Sequence, residues 1–444
     1  MKKIINLIAL TAIVTGLAAS MVNATSSIDP AGFMRAEGQP FFMVGFYFEH
    51  GGSVQNHVTV IKRLSGAGFN TIFITGDEGT TADLQRIFDT AQVCRIKVIV
   101  ENLQPAGYSA VVNKPALLAW SIATDVNNLT VDELKARYDA ARAADTTHFT
   151  YTSAWNDQNL DGYIKYAGAI GAQTYPIPTL RTWMTTYSGS PDITFASYLV
   201  SKLMTAKTTA GAATVITQET QAFNWNRQAG DRAPTGTEVD NMNYQAIIAG
   251  AKGLLPYTYS GCCAANSDIW NMLVKHRGEM LDTLAPVLLL GKRTALTVGG
   301  YANKVFAACW EYHDSVYVIA VNSLDQNVTV TLNLPATVKS PVTKIFASRS
   351  GGMTLSGSAL SGSIGALGVQ MYKTATNSST ALTKDPAWRR AVRNNAPQVS
   401  VGLPGLRMND ATVYSIQGRR IGSGGLIRRD RAAAKIFVVV PKRR

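Results

Sequence analysis

The sequence predicts an α/β fold, a (β/α)8 TIM barrel, followed by an all-β sandwich domain and a small basic C-terminal β module. Eight short β-rich segments alternate with helix-like segments between residues 40 and 259, which is the number and total length of a (β/α)8 barrel. After about residue 290 the helix-like segments stop and short strands follow one another through turn-like links. That pattern is typical of a sandwich. An open, doubly wound sheet would give the same early alternation and stays an alternative here.

The predicted barrel strands are 40–48, 71–75, 97–101, 118–125, 148–155, 172–178, 213–220 and 253–259. The segments between them place apolar residues three and four positions apart, for example in 58–68 and 81–94, which predicts amphipathic helices. Thr130 precedes Glu133 by three residues, and this capping-box spacing predicts the start of a further helix.

The chain divides by composition into five segments. They are a signal peptide (1–24), the barrel (25–288), the sandwich (289–374), a polar linker (375–396) and the basic C-terminal module (397–444). The first segment combines Lys2 and Lys3 with an apolar stretch and the small-residue site Val22-Asn23-Ala24. That combination is typical of a signal peptide, so we expect a secreted or cell-surface protein.

The basic charge is concentrated at the C-terminal end. The whole chain has a net charge of +13, of which residues 384–444 contribute +11 and residues 1–24 contribute +2, so residues 25–383 are neutral. A neutral body argues against a nucleic-acid partner. The basic tail is suited to contact an acidic cell envelope or a secretion apparatus, although it is equally compatible with simple solvation. We expect a monomer.

The cysteines and histidines indicate no metal site. The sequence has four cysteines and five histidines, and no pair of cysteines stands at a ligand spacing with histidine. We therefore expect no metal, and nothing in the sequence requires an organic cofactor.

Acidic, amide and aromatic residues gather at the carboxyl ends of the predicted strands, where barrel enzymes carry their active sites. The candidates are Glu49, Glu101, Asp125, Trp155, Tyr175, Glu219, Gln221, Trp225 and Tyr257. Aromatic faces pack on sugar rings, and carboxylates and amides bind hydroxyl groups. Each candidate also has a structural interpretation: Asp125 as the start of a loop, Glu219 as a hydrogen-bonded core carboxylate, and the aromatic residues as packing.

Several segments resemble the bacterial clan A (β/α)8 glycoside hydrolases that carry a C-terminal β-sandwich. The segments are AEGQPFFMVGFYF (36–48), GAGFNTIF (66–73), KPALLAWSI (114–122), QTYPIP (173–178), QAFNW (221–225) and EVDNMNYQAIIAGAKGLLPYTYS (238–260). The resemblance covers about residues 30–375. A shorter segment around VYSIQGRRIG resembles C-terminal sorting modules of exported polysaccharide-degrading enzymes.

The resemblance implies a retaining glycoside hydrolase. Glycoside cleavage of this kind uses two carboxyl groups, one as acid/base and one as nucleophile. The family pattern assigns the acid/base to Asp125 and the nucleophile to Glu219, and implies substrate contacts for the other candidates. Asp125 stands where the family has a glutamate, and Gln173 stands where it has an aspartate. These departures leave two alternatives open: a non-catalytic carbohydrate-binding relative and a structural scaffold.

Overall fold

The computed structural model describes residues 25–48, 51–179, 192–262, 267–335, 338–349, 351–376, 411–415, 420–423 and 437–441. The predicted signal peptide and nearly all of the predicted linker lie outside these ranges. The chain separates into two compact units, Met1–Pro397 and Gln398–Arg444.

A small antiparallel sheet precedes the barrel. It consists of β1 (Ser26–Ile28), β2 (Met34–Ala36) and β3 (Gln39–Phe41). Met34 and Ala36 are buried in the same apolar cluster as the lower interior residues of the barrel, and the Ser26 amide donates a 3.1 Å hydrogen bond to the carbonyl of Thr147, just before the fifth barrel strand. The sheet therefore closes the amino-terminal end of the barrel.

Eight parallel strands close into a ring, which confirms the predicted barrel and rules out the open sheet. The strands are β4 (Met43–Tyr47), β5 (Thr71–Thr75), β6 (Lys97–Glu101), β7 (Leu117–Ala123), β8 (Phe149–Ala154), β9 (Ala169–Thr174), β10 (Val215–Thr220) and β11 (Gly253–Leu254). The second and third match the predicted bounds. The predicted first strand is divided between β3 and β4, and the fourth ends at Ala123, two residues earlier than predicted. The eighth is short because Pro256 has no amide hydrogen to donate.

Helices connect most of the strands. They are α1 (Val54–Gly66), α2 (Thr81–Val93), α3 (Val131–Ala144), α4 (Leu160–Tyr163), α5 (Phe195–Ala210), α6 (Gly236–Ala249), α7 (Tyr259–Cys262), α8 (Ser267–Glu279) and α9 (Ala285–Leu290). A 3-10 helix at Pro105–Ala110 links β6 to β7, two more lie at Val126–Asn128 and Ile164–Tyr166, and a π-helical turn at Met280–Leu284 precedes α9. The capping box predicted at Thr130 and Glu133 is present.

The sandwich follows α9 as predicted. Its strands are β12 (Lys292–Leu296), β13 (Val305–Tyr312), β14 (Ser315–Asn322), β15 (Val328–Asn333), β16 (Val338–Lys344), β17 (Gly352–Ser356), β18 (Ala359–Ile364) and β19 (Val369–Thr376). They form a five-stranded sheet in the order β12-β13-β14-β19-β16 and a three-stranded sheet in the order β15-β18-β17. The outer face of the larger sheet packs on the barrel helices, with Trp310, Ile319 and Met371 in the same apolar cluster as Val287 and Leu288.

The C-terminal unit contains a three-stranded antiparallel sheet. Its strands are β20 (Ala411–Ser415), β21 (Arg420–Ser423) and β22 (Phe437–Pro441), with β20 in the centre. Across all the described ranges, no helix combines the length and apolar character needed to cross a membrane.

Candidate active site

Glu219 lies in the interior of the barrel near the carboxyl ends of the strands. It is the residue before the last of β10, and its side chain is only 1% exposed. Its Oε1 accepts a 2.7 Å hydrogen bond from the hydroxyl of Tyr47 on β4 and another of 2.7 Å from the hydroxyl of Tyr151 on β8. Hydrogen bonds donated to a carboxylate stabilise its charged form, so the two tyrosines compensate part of the cost of burying it.

Tyr47 and Tyr151 are kept in the protonated, donating state. Burial, and next the negative charge of Glu219, raise the pKa of both hydroxyls well above the ordinary value for tyrosine. Neither residue was among the sequence candidates. The alternation of side chains along a strand could have indicated that both tyrosines point inward. Tyr47 is four residues from Met43 and Tyr151 is two residues from Phe149, and all four side chains lie in the same interior cluster.

Gly171 on β9 makes room for this arrangement. A Cβ at this position would collide with Oε1 of Glu219 and with the Tyr151 hydroxyl. Two residues further along β9, Gln173 lies directly beside Glu219 in the parallel register, and its Nε2 donates a 2.8 Å hydrogen bond to the hydroxyl of Ser153. The amide of Gln173 is therefore bonded to the neighbouring strand β8.

Four rings form an aromatic cluster (Tyr175, Phe223, Trp225 and Tyr257). Tyr175 lies 5.2 Å from Phe223, 6.2 Å from Trp225 and 5.7 Å from Tyr257, measured between ring centroids. Tyr257 also lies 5.6 Å from Tyr47, which contacts Glu219. The cluster therefore adjoins the carboxylate, and Phe223, Trp225 and Tyr257 are partly exposed. Partly exposed rings beside a carboxylate match the apolar and polar sides of a sugar.

Glu101 is the last residue of β6 and is 6% exposed. Its charge is one of the smaller causes, after burial and Glu219, that raise the pKa of Tyr47. Glu101 and Glu219 therefore act on the same hydroxyl, and the structure brings these two predicted acids into one region of the barrel.

Asp125 lies outside the strand that was predicted to end on it. β7 ends at Ala123, and Asp125 is exposed in the following loop with φ +52°. Aspartate is one of the few residues besides glycine that adopt this left-handed conformation readily. Its carbonyl accepts a 2.9 Å hydrogen bond from the Asn128 amide, so the residue shapes the loop at the carboxyl end of β7.

Two further residues predicted to contact the substrate are Trp155 and Glu49. Trp155 is partly buried just after β8, where its amide donates a 2.9 Å hydrogen bond to Oδ1 of Asn127. Glu49 lies outside the described residues.

Gln221 is fully buried and its amide is used within the protein. Its Oε1 accepts a 2.8 Å hydrogen bond from the Ile177 amide, and its Nε2 donates one of 2.8 Å to the Ile177 carbonyl. The same Nε2 lies 3.1 Å from the carbonyl of Phe223. Gln221 therefore holds together the two segments that carry the aromatic cluster, and its contact with a substrate stays a prediction.

A second cluster of ionisable groups lies between the barrel helices and the sandwich. Among the described residues, the possible ligand atoms of Asp240, His276 and Glu279 lie within 4.8 Å of one another. The guanidinium of Arg349 occupies this cluster, with Nη1 2.8 Å from Oδ2 of Asp240 and Nη2 2.5 Å from Oε2 of Glu279. The positive charge that a metal would bring is thus supplied by arginine, and the cluster joins the two domains.

Comparison with known proteins places this architecture among glycoside hydrolase folds. A glycoside hydrolase family 5 structure from Bacteroides vulgatus matches with a TM-score of 0.56 at 11% identity, covering 83% of this chain and 98% of that one. Another structure, described as a glycoside hydrolase, matches with a TM-score of 0.55 at 10% identity, covering 81% and 98%. The maltogenic alpha-amylase AmyB from Thermotoga neapolitana matches with a TM-score of 0.50 at 9% identity, covering 75% and 98%.

No protein-family model matches the sequence, and no curated protein matches it. At these identities the structural matches define the class by its fold, a (β/α)8 barrel with a C-terminal β domain of the kind found in glycoside hydrolases. The family resemblance in the sequence is confirmed at that level.

Proposed function

We propose that the protein is a glycoside hydrolase that cleaves the glycosidic bonds of a polysaccharide or oligosaccharide by a retaining mechanism. The observation that carries this proposal is the buried carboxylate of Glu219, held by two tyrosine hydroxyls beside a partly exposed aromatic cluster. A charged side chain inside a barrel core is rare unless it is paired or has a chemical role.

In the proposed reaction, Glu219 attacks the anomeric carbon while Asp125 protonates the departing glycosidic oxygen. The covalent sugar ester is then hydrolysed by a water that gives its proton to Asp125, which restores both carboxyl groups. Tyr47 and Tyr151 orient the Oε1 atom of Glu219. Trp155, Tyr175, Trp225 and Tyr257 pack on the sugar, and Glu101 binds a sugar hydroxyl. These roles require neither a metal nor an organic cofactor.

The test is sugar release from a panel of plant and microbial glycans, compared between the wild type, Glu219→Gln and Glu311→Gln. Glu311 lies in the sandwich, so its substitution removes the same charge away from the barrel interior. We expect product from the wild type and the control and none from Glu219→Gln. Glycan binding by calorimetry without product from the wild type would contradict the hydrolase and favour a carbohydrate-binding protein.

We also propose that this activity is exerted outside the cytoplasm, at the cell surface or in the medium. Lys2, Lys3 and the apolar stretch that follows support export, and the +11 charge of residues 384–444 supports contact with an acidic envelope. Truncation after residue 383 is expected to move the protein from the envelope fraction to the medium without loss of sugar release. An unchanged distribution would contradict the role given to the tail.

A further inference from the structure

A cavity of about 320 Å³ lies at the amino-terminal end of the barrel, opposite Glu219. Its walls come from three parts of the chain: the loop between β1 and β2 (Gly32), the barrel with its helices (Lys207 and Lys252), and the sandwich (Arg293 and Trp310). Junctions between domains are common places for small-molecule sites.

Three positive side chains line this cavity, and no carboxylate of the described residues forms an ion pair with any of them. In the described part of the chain, no carboxylate oxygen lies within 4 Å of the ammonium of Lys207 or of Lys252. The acid that acts on Lys252, Asp29, forms an ion pair of 2.6 Å with Arg35. Arg293 donates two of its N–H groups to the carbonyl of Ile248, and it forms no ion pair with a carboxylate in the described ranges.

The surroundings of the two lysines destabilise their charged forms. Burial, and next the charge of Lys207, lower the pKa of Lys252 to about 8, and burial lowers the pKa of Lys207. An anion in the cavity would remove this destabilisation, because an opposite charge close by favours the charged form of a lysine. Unpaired, partly buried charges that converge on a cavity are a pattern of binding sites.

Gly32 allows the ammonium of Lys207 to approach the backbone of the loop between β1 and β2 closely. The residue has φ +78°, and a Cβ there would lie 2.6 Å from Nζ of Lys207. The lining also includes apolar residues, among them Met204, Leu288 and Trp310, and Trp310 lies beside Arg293 in the β12–β13 pair. The cavity therefore combines three positive side chains with an apolar lining.

We propose that this cavity binds a small organic oxyanion: a phosphate, sulfate or carboxylate group carried on a compact neutral body such as a single sugar ring. Lys207, Lys252 and Arg293 bind the oxyanion, and the partly exposed side chain of Met204 packs against the body of the ligand. The site is separate from Glu219, and the inference does not depend on the proposed hydrolase activity.

The test is calorimetric titration of the full chain with glucose 6-phosphate, glucuronate, inorganic phosphate, sulfate and glucose. We expect saturable binding of at least one of the two sugar anions, tighter than that of either inorganic ion, and none of glucose. Lys252→Met and Lys207→Met should each weaken binding about tenfold or more, the usual effect of losing one charge-assisted hydrogen bond. Lys292→Met, an exposed neighbour of Arg293, removes the same charge outside the cavity and should leave affinity unchanged.

Thermal unfolding provides a second measurement, which distinguishes a variant that has lost the ligand site from a variant that is misfolded. Lys252→Met should raise the Tm of the ligand-free protein, because it removes a partly buried and repelled ammonium. The bound sugar anion should raise the Tm of the wild type but not of this variant. The proposal is overturned if no sugar anion binds, if inorganic phosphate or sulfate binds as tightly, or if Lys292→Met weakens binding as much as Lys252→Met.

Discussion

The hydroxyl of Tyr151 donates a 2.7 Å hydrogen bond to Oε1 of Glu219 across the interior of the barrel. The two residues stand on β8 and β10, with Gly171 of β9 between them, where any side chain would collide with both. A carboxylate, its donor and the space for both thus come from three neighbouring strands.

Replacing Tyr151 with Phe should lower both stability and sugar release. The substitution removes a hydrogen bond to Oε1 of Glu219, and a hydrogen bond to a charged group contributes about 1.5–3 kcal/mol. Urea unfolding should show a loss of about 2 kcal/mol, and kcat should fall because the carboxylate is less well held. Tyr138→Phe, on the outer helix α3, is the matched control. Equal stability and kcat in Tyr151→Phe and the control would show that the hydrogen bond has no role.

Gly171→Ala should displace Glu219. Overpacking a tight interior costs about 1–3 kcal/mol, and a shift of about 1 Å in a reacting group can reduce a rate on the order of 100-fold. Gly66→Ala is the control, because Gly66 lies at the end of α1 with no atom within 4 Å of the added carbon. It should leave the free energy of unfolding and kcat unchanged. The measurements are urea unfolding and kcat. An active Gly171→Ala enzyme of normal stability would contradict the packing described for this position.

Asp125→Asn should reduce sugar release without loss of stability. The side chain is exposed, so its replacement removes little packing, whereas loss of a general acid typically costs about 10²–10⁴-fold in rate. The deficit should shrink for aryl glycosides whose leaving group departs without protonation. A uniform deficit with all leaving groups, or none, would remove Asp125 from the acid/base role.

Arg349→Met should unfold more easily than the wild type. The guanidinium bonds to the buried carboxylates of Asp240 and Glu279, and breaking a buried ion pair costs about 3–5 kcal/mol. Arg86→Met, which loses a 3.5 Å hydrogen bond to Gln55 and the attraction of Asp83, serves as the control. Similar urea midpoints for the two variants would contradict the role of Arg349 as the link between the domains.

The same cluster should make stability depend on acid pH. Burial alone would raise the pKa of Asp240, but the hydrogen bonds from Arg349 and His276 outweigh it and hold the pKa well below the ordinary value. Because the folded pKa is depressed, this stabilisation is complete above the unfolded pKa of about 4 and is lost as the pH falls below it. Wild-type unfolding free energy should therefore decrease more steeply below about pH 4 than that of Arg349→Met. Parallel curves would contradict the assignment.

The sequence predicted the barrel and the sandwich, because these depend on local periodicity. It did not predict that β7 ends at Ala123, since the left-handed turn at Asp125 follows from the loop rather than from any pattern in the strand. Tyr47 and Tyr151 were missed as partners of Glu219 because strand register, which brings distant residues level, is a tertiary property. The use of Gln221 by the Ile177 backbone and the pairing of Arg349 with Asp240 likewise depend on contacts between distant segments.

In the proposed mechanism, Glu219 is the group that bonds to the anomeric carbon. The most direct measurement is mass spectrometry of the wild type after incubation with a 2-fluoro-glycoside of whichever sugar the glycan panel identifies. We expect a single sugar adduct on the peptide that contains Glu219, and none in Glu219→Gln. An adduct on another acid, or an enzyme that releases sugar without forming any adduct, would contradict the assignment.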